Sequence, residues 1–227
     1  MVATQLRARG VRDEKVLAAM GEVPREQFVP VERRPMAYDD APLPIGEGQT
    51  ISQPYIVAFM IEALALKGGE KALEIGAGSG YAAAVLGRIC GDVYAVERIE
   101  RLAAAAAKTL RETGVENVHV RFADGSGGWP DHAPYDAILV SAGAPSISEA
   151  LQRQLAVGGR MVVPVGDHPR AQELVRVTRA SENEFVRERI ADVRFVPLIG
   201  EAGWARDAPD IAQTAGGGRT LFLKSRL

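Results

Sequence analysis

A glycine-rich turn between a strand and a helix is the first feature of the sequence that could bind a ligand. Residues 73–81 read Leu-Glu-Ile-Gly-Ala-Gly-Ser-Gly-Tyr, after a strand pattern and before a helical one. Gly76 and Gly78 have no Cβ, so a ligand can lie against the main chain, and the helix start offers free N–H groups. The dinucleotide fingerprint would place its third glycine where this chain has Tyr81. The spacing therefore disfavours a nicotinamide dehydrogenase, and a plain tight turn stays the alternative.

Two acidic residues follow the next two strands of the pattern. Glu97 ends the strand Asp-Val-Tyr-Ala-Val-Glu, where a carboxylate can accept hydrogen bonds from both hydroxyls of a ribose. Asp124 and Gly125 follow the third strand, where the carboxylate can accept from an adenine amino group and the glycine lets a base lie close. The alternatives are an exposed ion pair of Glu97 with Arg98 or Arg101 and an ordinary Asp-Gly turn.

Alternating strand and helix patterns must position these residues. Strands are predicted over residues 71–75, 92–97, 118–122, 135–140, 160–165, 174–179 and 186–196. Helices are predicted over residues 12–20, 55–64, 79–89, 99–113 and 148–155. Strand–helix alternation with short loops is typical of an α/β fold, and late strands without helices between them indicate an antiparallel edge. We expect a doubly wound, mostly parallel seven-stranded sheet with helices on both faces. The three ligand-binding loops then share the carboxyl edge of that sheet.

Composition and charge exclude several classes of protein. The 227 residues include 27 Lys and Arg against 29 Asp and Glu, a formal net charge of −2, which argues against a strongly basic nucleic-acid coat protein and an acidic disordered chain. Cys90 is the single cysteine, so no internal disulfide forms, and we expect a reducing compartment. No signal-peptide pattern and no run of about 18 apolar residues is found. We therefore expect a cytoplasmic protein with no membrane or nucleic-acid partner.

The motifs together identify a family resemblance. Glu-Ile-Gly-x-Gly-Ser-Gly-Tyr, then Val-Glu, then Ala-Asp-Gly, resemble the cofactor motifs of class I S-adenosylmethionine-dependent methyltransferases, a Rossmann-like fold. The run over residues 39–54, with Thr-Ile-Ser-Gln-Pro at its end, resembles the signature loop of protein-L-isoaspartate O-methyltransferases. Residues 23–30, 133–140 and 155–166 and the late strand over residues 194–198 resemble the same family. The resemblance covers roughly residues 10–204.

The resemblance implies roles for individual residues. It implies that Ser52 is the active-site serine and that S-adenosyl-L-methionine is the cofactor, leaving as S-adenosyl-L-homocysteine. The implied cofactor-binding residues are Gln49, Thr50, Ile51, Ser52, Glu74, Gly76, Gly78, Ser79, Glu97, Asp124 and Gly125. The implied substrate-binding residues are Leu43, Ile45, Gly46, Val196 and Leu198. Trp204 is expected to touch the edge of the cofactor.

The implied organisation is one methyltransferase domain over residues 1–204. Residues 1–54 would supply an N-terminal helix and a proline-rich loop that covers substrate and cofactor, and residues 55–204 the cofactor-binding core. Residues 205–227 would form a tail, with Gly216–Gly218 in a loop and a short strand over Thr220–Lys224. No large apolar stripe is left over, so we expect a monomer.

The implied reaction repairs damaged proteins. A methyl group passes from S-adenosylmethionine to the free α-carboxylate of an L-isoaspartyl residue, and the ester then closes to a succinimide that returns some aspartate. A carboxylate is already ionised at neutral pH, so no strong general base is required. This agrees with the spacing of His119, His132 and His168, which do not cluster near the motifs, and no metal site is expected.

Two departures and three alternatives remain open. Ala77 stands where the family usually has Thr, which we expect to be tolerated, and Gly143 stands where an Ala is common, which we expect to loosen the wall beside the reacting groups. A relative acting on one dedicated maturing peptide would need that peptide's gene nearby. A cofactor-binding module without turnover would bind and not react. A nucleic-acid methyltransferase would need a basic face or a base-stacking aromatic motif, and neither is found.

Overall fold

The computed structural model describes residues 1–168 and 171–205. The predicted loop at Gly216–Gly218 and the strand over Thr220–Lys224 lie outside these residues. The helices are α1 (Glu14–Glu22), α2 (Pro54–Ala63), α3 (Tyr81–Gly87), α4 (Glu100–Glu112) and α5 (Glu149–Arg153). The strands are β1 (Leu43–Gly46), β2 (Gln49–Ile51), β3 (Lys71–Ile75), β4 (Asp92–Glu97), β5 (Val118–Phe122), β6 (Tyr135–Val140), β7 (Leu155–His168), β8 (Ala171–Arg179) and β9 (Phe185–Val193).

The main sheet has seven strands in the order β5-β4-β3-β6-β7-β8-β9. The pairs from β5 to β7 are parallel, and β8 is antiparallel to both of its neighbours. This confirms the expected mostly parallel, seven-stranded sheet with an antiparallel edge. The chain leaves β3 towards β4 and β5 and then returns to β6 on the other side of β3. The glycine-rich turn after β3 thus lies at the point where the strand order reverses, where open α/β sheets bind ligands.

Two apolar clusters cover the two faces of the sheet. Ala72 belongs to one cluster with side chains of α1, α2 and α3, whereas its neighbour Leu73 belongs to the other with Leu151 of α5. Successive strand residues point to opposite faces, so the helices pack on both sides as expected. Burial on both faces also explains why the sequence predicts β3, β4 and β6 to the residue, since such strands are rich in apolar residues. The edge strand β5 agrees as well, although its residues are half-buried or exposed.

Several predicted boundaries were wrong for local reasons. Helix α1 begins at Glu14, where the Asp13 carboxylate accepts the Lys15 N–H at 2.8 Å, and it continues through Gly21. Helix α3 begins only at Tyr81, because Gly80 before it has a left-handed φ of +84°. Strand β7 starts at Leu155, five residues before the prediction, since its pairing with β6 passes over the Gly158-Gly159 turn with a register shift.

The two segments that resembled the family most closely also differ from their predicted conformations. The proline-rich segment is not irregular throughout: β1 and β2 form an antiparallel hairpin, with Leu43 opposite Ile51 and a turn whose Glu47 has a φ of +52°. Strand β9 ends at Val193, so residues 194–198 are not a strand of the sheet. Those residues contact the loop after β6 instead, with Pro197 bridged to Gly143.

Candidate active site

Two adjoining clefts open at the carboxyl edge of the parallel strands. The first cleft spans about 550 Å³ of empty space and the second about 440 Å³, open solvent at their mouths included. The first is lined by Gln49, Thr50, Ile75, Gly76, Gly78, Val96, Glu97, Arg98, Ile99, Gly125, Ser141, Ala142, Val196, Pro197, Leu198 and Ile199. The second is lined by Thr50, Ile51, Ser52, Val57, Met60, Glu74, Gly76, Ala77, Gly78, Ser79, Tyr81, Ala82, Leu139, Ser141 and Phe195. Thr50, Gly76, Gly78 and Ser141 belong to both, so the clefts are continuous there.

The glycine-rich turn forms the floor between the clefts. Gly76 and Gly78 have φ angles of +82° and +54°, a region that side chains with a Cβ adopt only with strain. The N–H groups of Gly76 and Ala77 both donate to the Val96 carbonyl, at 2.8 and 3.1 Å, which ties the turn to β4. Gly80 has another purpose: a Cβ there would lie 3.1 Å from Ala106 Cβ of α4. The third glycine is therefore needed for helix packing.

Glu97 closes one side of the first cleft and is buried. Its Oε2 accepts the Gly78 N–H at 2.9 Å and its Oε1 accepts the Ile99 N–H at 2.9 Å. The alternative of an ion pair with Arg101 is not found, since Arg101 Nη1 lies 3.2 Å from Glu47 Oε1. Each carboxylate oxygen keeps a second lone pair for the cleft, so Glu97 can still accept from ligand hydroxyls.

The Asp124 carboxylate binds main-chain N–H groups of the protein, whereas we expected it to face an adenine amino group. Its Oδ1 accepts the Ser126 N–H and its Oδ2 accepts the Glu201 N–H, each at 2.8 Å. Partial burial raises the pKa of Asp124, but these two backbone hydrogen bonds outweigh it, so the pKa lies below its ordinary value. Gly125 lines the first cleft and Asp124 does not. The Asp124 carboxylate thus holds Glu201, the Ser126 hydroxyl accepts the Ala202 N–H at 3.0 Å, and Gly125 provides the open surface.

Glu74 carries the strongest electrostatic signal in the second cleft. Only 1% of it is exposed; its Oε1 accepts the Ser141 hydroxyl at 2.8 Å, and its Oε2 has no hydrogen-bond partner within the described residues. Burial raises the pKa of Glu74 to about 8, and the nearby Glu97 carboxylate acts in the same direction. A buried carboxylate with one free oxygen is suited to a cationic ligand group, which would return its pKa towards the ordinary value.

The end of the hairpin brings Ser52 to the second cleft. The Ser52 carbonyl accepts Arg25 Nη2 at 2.8 Å, and Arg25 Nε donates to the Ala37 carbonyl at 2.7 Å. Arg25 is 0% exposed, and its guanidinium lies 4.7 Å from the Tyr81 ring centroid. Ser52 does not cap α2, because Gln53 occupies the N-cap position and the Tyr55 N–H at the start of the helix donates to Asp40 Oδ1 instead, at 3.3 Å.

The predicted substrate residues are only partly brought together. Val196 and Leu198 line the first cleft. Ile45 lies beside the glycine turn, since a Cβ on Gly78 would be 3.4 Å from its Cδ1. Leu43 is buried in the hairpin opposite Ile51 and lines neither cleft. Gly46 likewise lines neither and forms the hairpin turn.

Sequence reasoning missed several lining residues. Ser141 follows β6 at the same sheet edge as the other loops, so the strand-end rule could have found it. Ile99 and Arg98 follow Glu97 directly. Phe195 lines the second cleft and Arg25 holds the Ser52 carbonyl. Both lie in segments that resemble the family, but their roles depend on contacts distant in the sequence.

Gly143 does not loosen the wall as expected. Its N–H donates to the Val196 carbonyl at 2.8 Å, and its own carbonyl accepts the Leu198 N–H at 2.8 Å. Trp204 does not line either cleft; its Nε1 donates to the same Gly143 carbonyl at 2.9 Å. The glycine is therefore a fixed point for the segment that follows β9.

His119, His132 and Cys90 lie away from the clefts. His119 Nε2 is 3.4 Å from Asp92 Oδ1, and the rings of His119 and His132 both pack on Tyr94. Burial raises the pKa of the Cys90 thiol to about 12, so this cysteine behaves as a core residue. Residues 1–168 and 171–205 contain no group of three or more His, Cys, Asp or Glu side chains placed to hold a metal ion. Nor does any helix in these ranges have the length and apolar character needed to cross a membrane.

Comparison with known proteins places this geometry among methyltransferases. A family model described as protein-L-isoaspartate(D-aspartate) O-methyltransferase matches residues 1–203. Protein-L-isoaspartate O-methyltransferase 1 of Rhodopseudomonas palustris is 63% identical over 92% of this chain and 86% of its own length. Protein-L-isoaspartate O-methyltransferase 2 of Marinobacter nauticus is 58% identical over 90% of this chain and 93% of its own length.

Solved structures give the same result. A protein-L-isoaspartate O-methyltransferase superposes with a TM-score of 0.78 at 30% identity, covering 87% of this chain. This chain spans 64% of that longer protein. A structure of the same family name from Plasmodium falciparum, in complex with S-adenosyl-L-homocysteine, superposes with a TM-score of 0.76 at 25% identity over 87% of this chain and 96% of its own.

Proposed function

The chain belongs to the protein-L-isoaspartate(D-aspartate) O-methyltransferase family, and we propose that its methyl transfer takes place beside Ser52, where the two clefts join. The protein methylates the free α-carboxylate of L-isoaspartyl residues in damaged proteins and peptides. S-adenosyl-L-methionine, when bound, supplies an electrophilic methyl group that the carboxylate takes up as an ester, with S-adenosyl-L-homocysteine as the other product. The ester is a better electrophile than the carboxylate, so the neighbouring amide nitrogen closes a succinimide, whose hydrolysis returns part of the residue to aspartate.

The residues of the clefts fit this cofactor. The free Oε2 of Glu74 is a buried acceptor for an α-ammonium group. Gly76, Gly78 and Ser79 line the second cleft beside it and let the amino-acid part approach the main chain. Glu97 is the acceptor for the ribose hydroxyls. Gly125, with Val96 and Ile99, offers an apolar surface for the base; we assign Asp124 to holding that loop in place.

Ser52 is assigned to orienting the substrate carboxylate. An unperturbed carboxyl titrates near pH 4, so the nucleophile needs no base at neutral pH, and none of the three histidines lines either cleft. The protein must still align the carboxylate oxygen with the methyl group. Good alignment can lower the activation barrier by about 7–11 kcal/mol. The Ser52 hydroxyl is a donor that can hold the carboxylate without removing a proton from it.

The observation that carries this assignment is the position of β2. Thr50 lines both clefts, Gln49 lines the first, and Ile51 and Ser52 line the second. Strand β2 and the residue after it therefore border both clefts along which we place the cofactor, and they bring Ser52 to the reacting carboxylate. We assign the opening of the first cleft near Ile45, Val196 and Leu198 to peptide binding. Leu43 and Gly46 are assigned to the structure of the hairpin that carries Ile45.

Two synthetic peptides, identical except for isoaspartate or aspartate at one position, test the function. We expect base-labile methyl ester from labelled S-adenosylmethionine on the isoaspartyl peptide alone. Label on neither peptide, with the cofactor still bound, would contradict general repair. That outcome would favour a dedicated peptide substrate or a binding module without turnover.

Replacing Ser52 with alanine is expected to lower kcat/KM for the isoaspartyl peptide by about tenfold, because one hydrogen bond to a charged group is lost. Affinity for S-adenosylhomocysteine, measured by calorimetry, should change little. Ser181→Ala, an exposed loop serine, is the matched control. An equal loss of cofactor affinity in Ser52→Ala would assign the hydroxyl to the cofactor instead of the substrate.

The proposal extends to organisation and partners. Residues 1–204 act as one methyltransferase domain, with residues 1–54 covering the clefts through the hairpin. The single, buried Cys90 supports a reducing, cytoplasmic compartment, and the near-balanced charge supports peptide and protein substrates and no nucleic acid or membrane. We propose that the protein acts as a monomer. Light scattering of the purified protein tests the monomer.

A further inference from the structure

The segment of residues 195–199, here called the wall segment, borders both clefts without belonging to the sheet. Strand β9 ends at Val193, two residues before it. Phe195 lines the second cleft, and Val196 to Ile199 line the first. Because the β-ladder no longer holds these residues, other groups must fix their main chain.

The side chain of Gln172 makes the hydrogen bonds to the Phe195 main chain that a paired β-strand would otherwise make. Gln172 lies on β8 opposite Val193, the last residue of β9, and is only 3% exposed. Its Oε1 accepts the Phe195 N–H at 2.8 Å, and its Nε2 donates to the Phe195 carbonyl over a longer 3.5 Å. One buried side-chain amide therefore pairs with both polar groups of a main-chain residue, as a neighbouring strand would.

Gly143 holds the next part of the wall segment and leaves room for that amide. It exchanges backbone hydrogen bonds with Val196 and Leu198. A Cβ on Gly143 would lie 2.8 Å from Gln172 Nε2 and 2.9 Å from its Cδ, closer than such atoms approach. The amide could move aside only by giving up its bonds to Phe195. A Cβ at position 143 would thus force the Gln172 side chain to shift, because Gln172 fills the space beside the glycine.

We propose that Gln172 and Gly143 are a coupled pair of positioning residues that set the wall segment for the peptide substrate. This inference rests on the proposed function, since it takes Val196 and Leu198 to line the path of the peptide. Gln172 acts through Phe195 and touches no reacting atom. The glycine-rich turn is fastened separately, through the Val96 carbonyl, so the part of the cofactor site that this turn forms does not depend on the pair.

Gln172→Met tests the amide while keeping the length of the side chain. We expect KM for the isoaspartyl peptide to rise about tenfold, because the Phe195 N–H is left buried without its acceptor, while KM for S-adenosylmethionine changes less than about threefold. Gln152→Met is the control: Gln152 is also a buried glutamine, but it bonds within α5 and to Arg187. A lower melting temperature or kcat with an unchanged peptide KM would reduce Gln172 to a structural role and overturn the proposal.

Gly143→Ala tests the coupling in two backgrounds. In the wild type, the added methyl should displace the amide and raise the peptide KM about as much as Gln172→Ala does. In the Gln172→Ala background, where the clash is removed, Gly143→Ala should add little. Fold-changes that multiply would show that the two residues act independently and overturn the coupling. If the wild type methylates no isoaspartyl peptide, the proposed function fails; if it does and the variants leave peptide KM unchanged, only this inference fails.

Discussion

Replacing Glu74 with glutamine is expected to weaken binding of S-adenosylhomocysteine by about 100-fold, because a buried ammonium group loses its charged partner, at a cost of about 2–5 kcal/mol. Glutamine keeps the volume of the side chain and an oxygen to accept the Ser141 hydroxyl. Calorimetric titration measures the loss directly. Glu100→Gln, on the exposed start of α4, is the matched control and should bind as the wild type does.

The pH dependence of binding separates this role from simple packing. The pKa of Glu74 without ligand is about 8, so at pH 7 most molecules carry a proton there that an ammonium group must displace. Affinity of the wild type should therefore rise about tenfold per pH unit below pH 8 and level off above it, with about one proton released. The same titration of Glu74→Gln should lack this slope. Equal slopes in both proteins would contradict the assignment of Glu74 to the ammonium group.

Stability should shift with pH in the opposite sense. Since folding raises the pKa of Glu74 from 4.5 to about 8, its contribution to the free energy of unfolding is fully present below pH 4.5 and is lost as the pH rises through 8. The wild type without ligand should thus lose stability relative to Glu74→Gln across that window, as measured by thermal unfolding. In the protein without ligand, the ionised form of the buried Glu74 carboxylate therefore lowers the free energy of unfolding.

The parts of the fold that the sequence predicted are those decided locally. Strands β3, β4 and β6 are short runs rich in apolar residues, β5 alternates apolar and polar residues, and all four agree with the structure at both ends. The strand-end rule places Gly76, Glu97 and Gly125 at one edge of the sheet, and all three line the first cleft there. These features follow from periodicity and from the geometry of parallel sheets, in which one edge collects the loops.

The parts that could not be predicted depend on contacts between distant residues. Nothing near Asp124 in the sequence indicates that Glu201 would donate to its carboxylate, or that Arg25 would hold the Ser52 carbonyl. Gly143 was misread because its neighbour Gln172 lies 29 positions away, on a different strand. The role of a glycine in a turn is equally hard to predict from its neighbours. Gly78 and Gly80 both have positive φ, but Gly78 lines the clefts, whereas Gly80 leaves room for α4.

Gly78→Val is expected to abolish methyl transfer, with a loss of at least about 100-fold in kcat/KM, because a branched side chain would occupy the space shared by both clefts. Valine at a φ of +54° also strains the backbone by about 1–2 kcal/mol, so stability must be controlled for. Gly114→Val provides that control. Gly114 has a φ of +68° after the end of α4, and a Cβ there meets no atom within 4 Å.

The two variants should lose similar stability in thermal unfolding but differ sharply in activity. Gly114→Val should keep near wild-type kcat/KM and affinity for S-adenosylhomocysteine, whereas Gly78→Val should lose both. Similar activity in the two proteins would mean that backbone strain alone explains the effect and that Gly78 is an ordinary turn residue. A selective loss would assign the absence of a Cβ at Gly78 to ligand access, because both glycines have positive φ and a Cβ at Gly78 meets only Ile45, at an ordinary contact distance of 3.4 Å, apart from the clefts and its own turn.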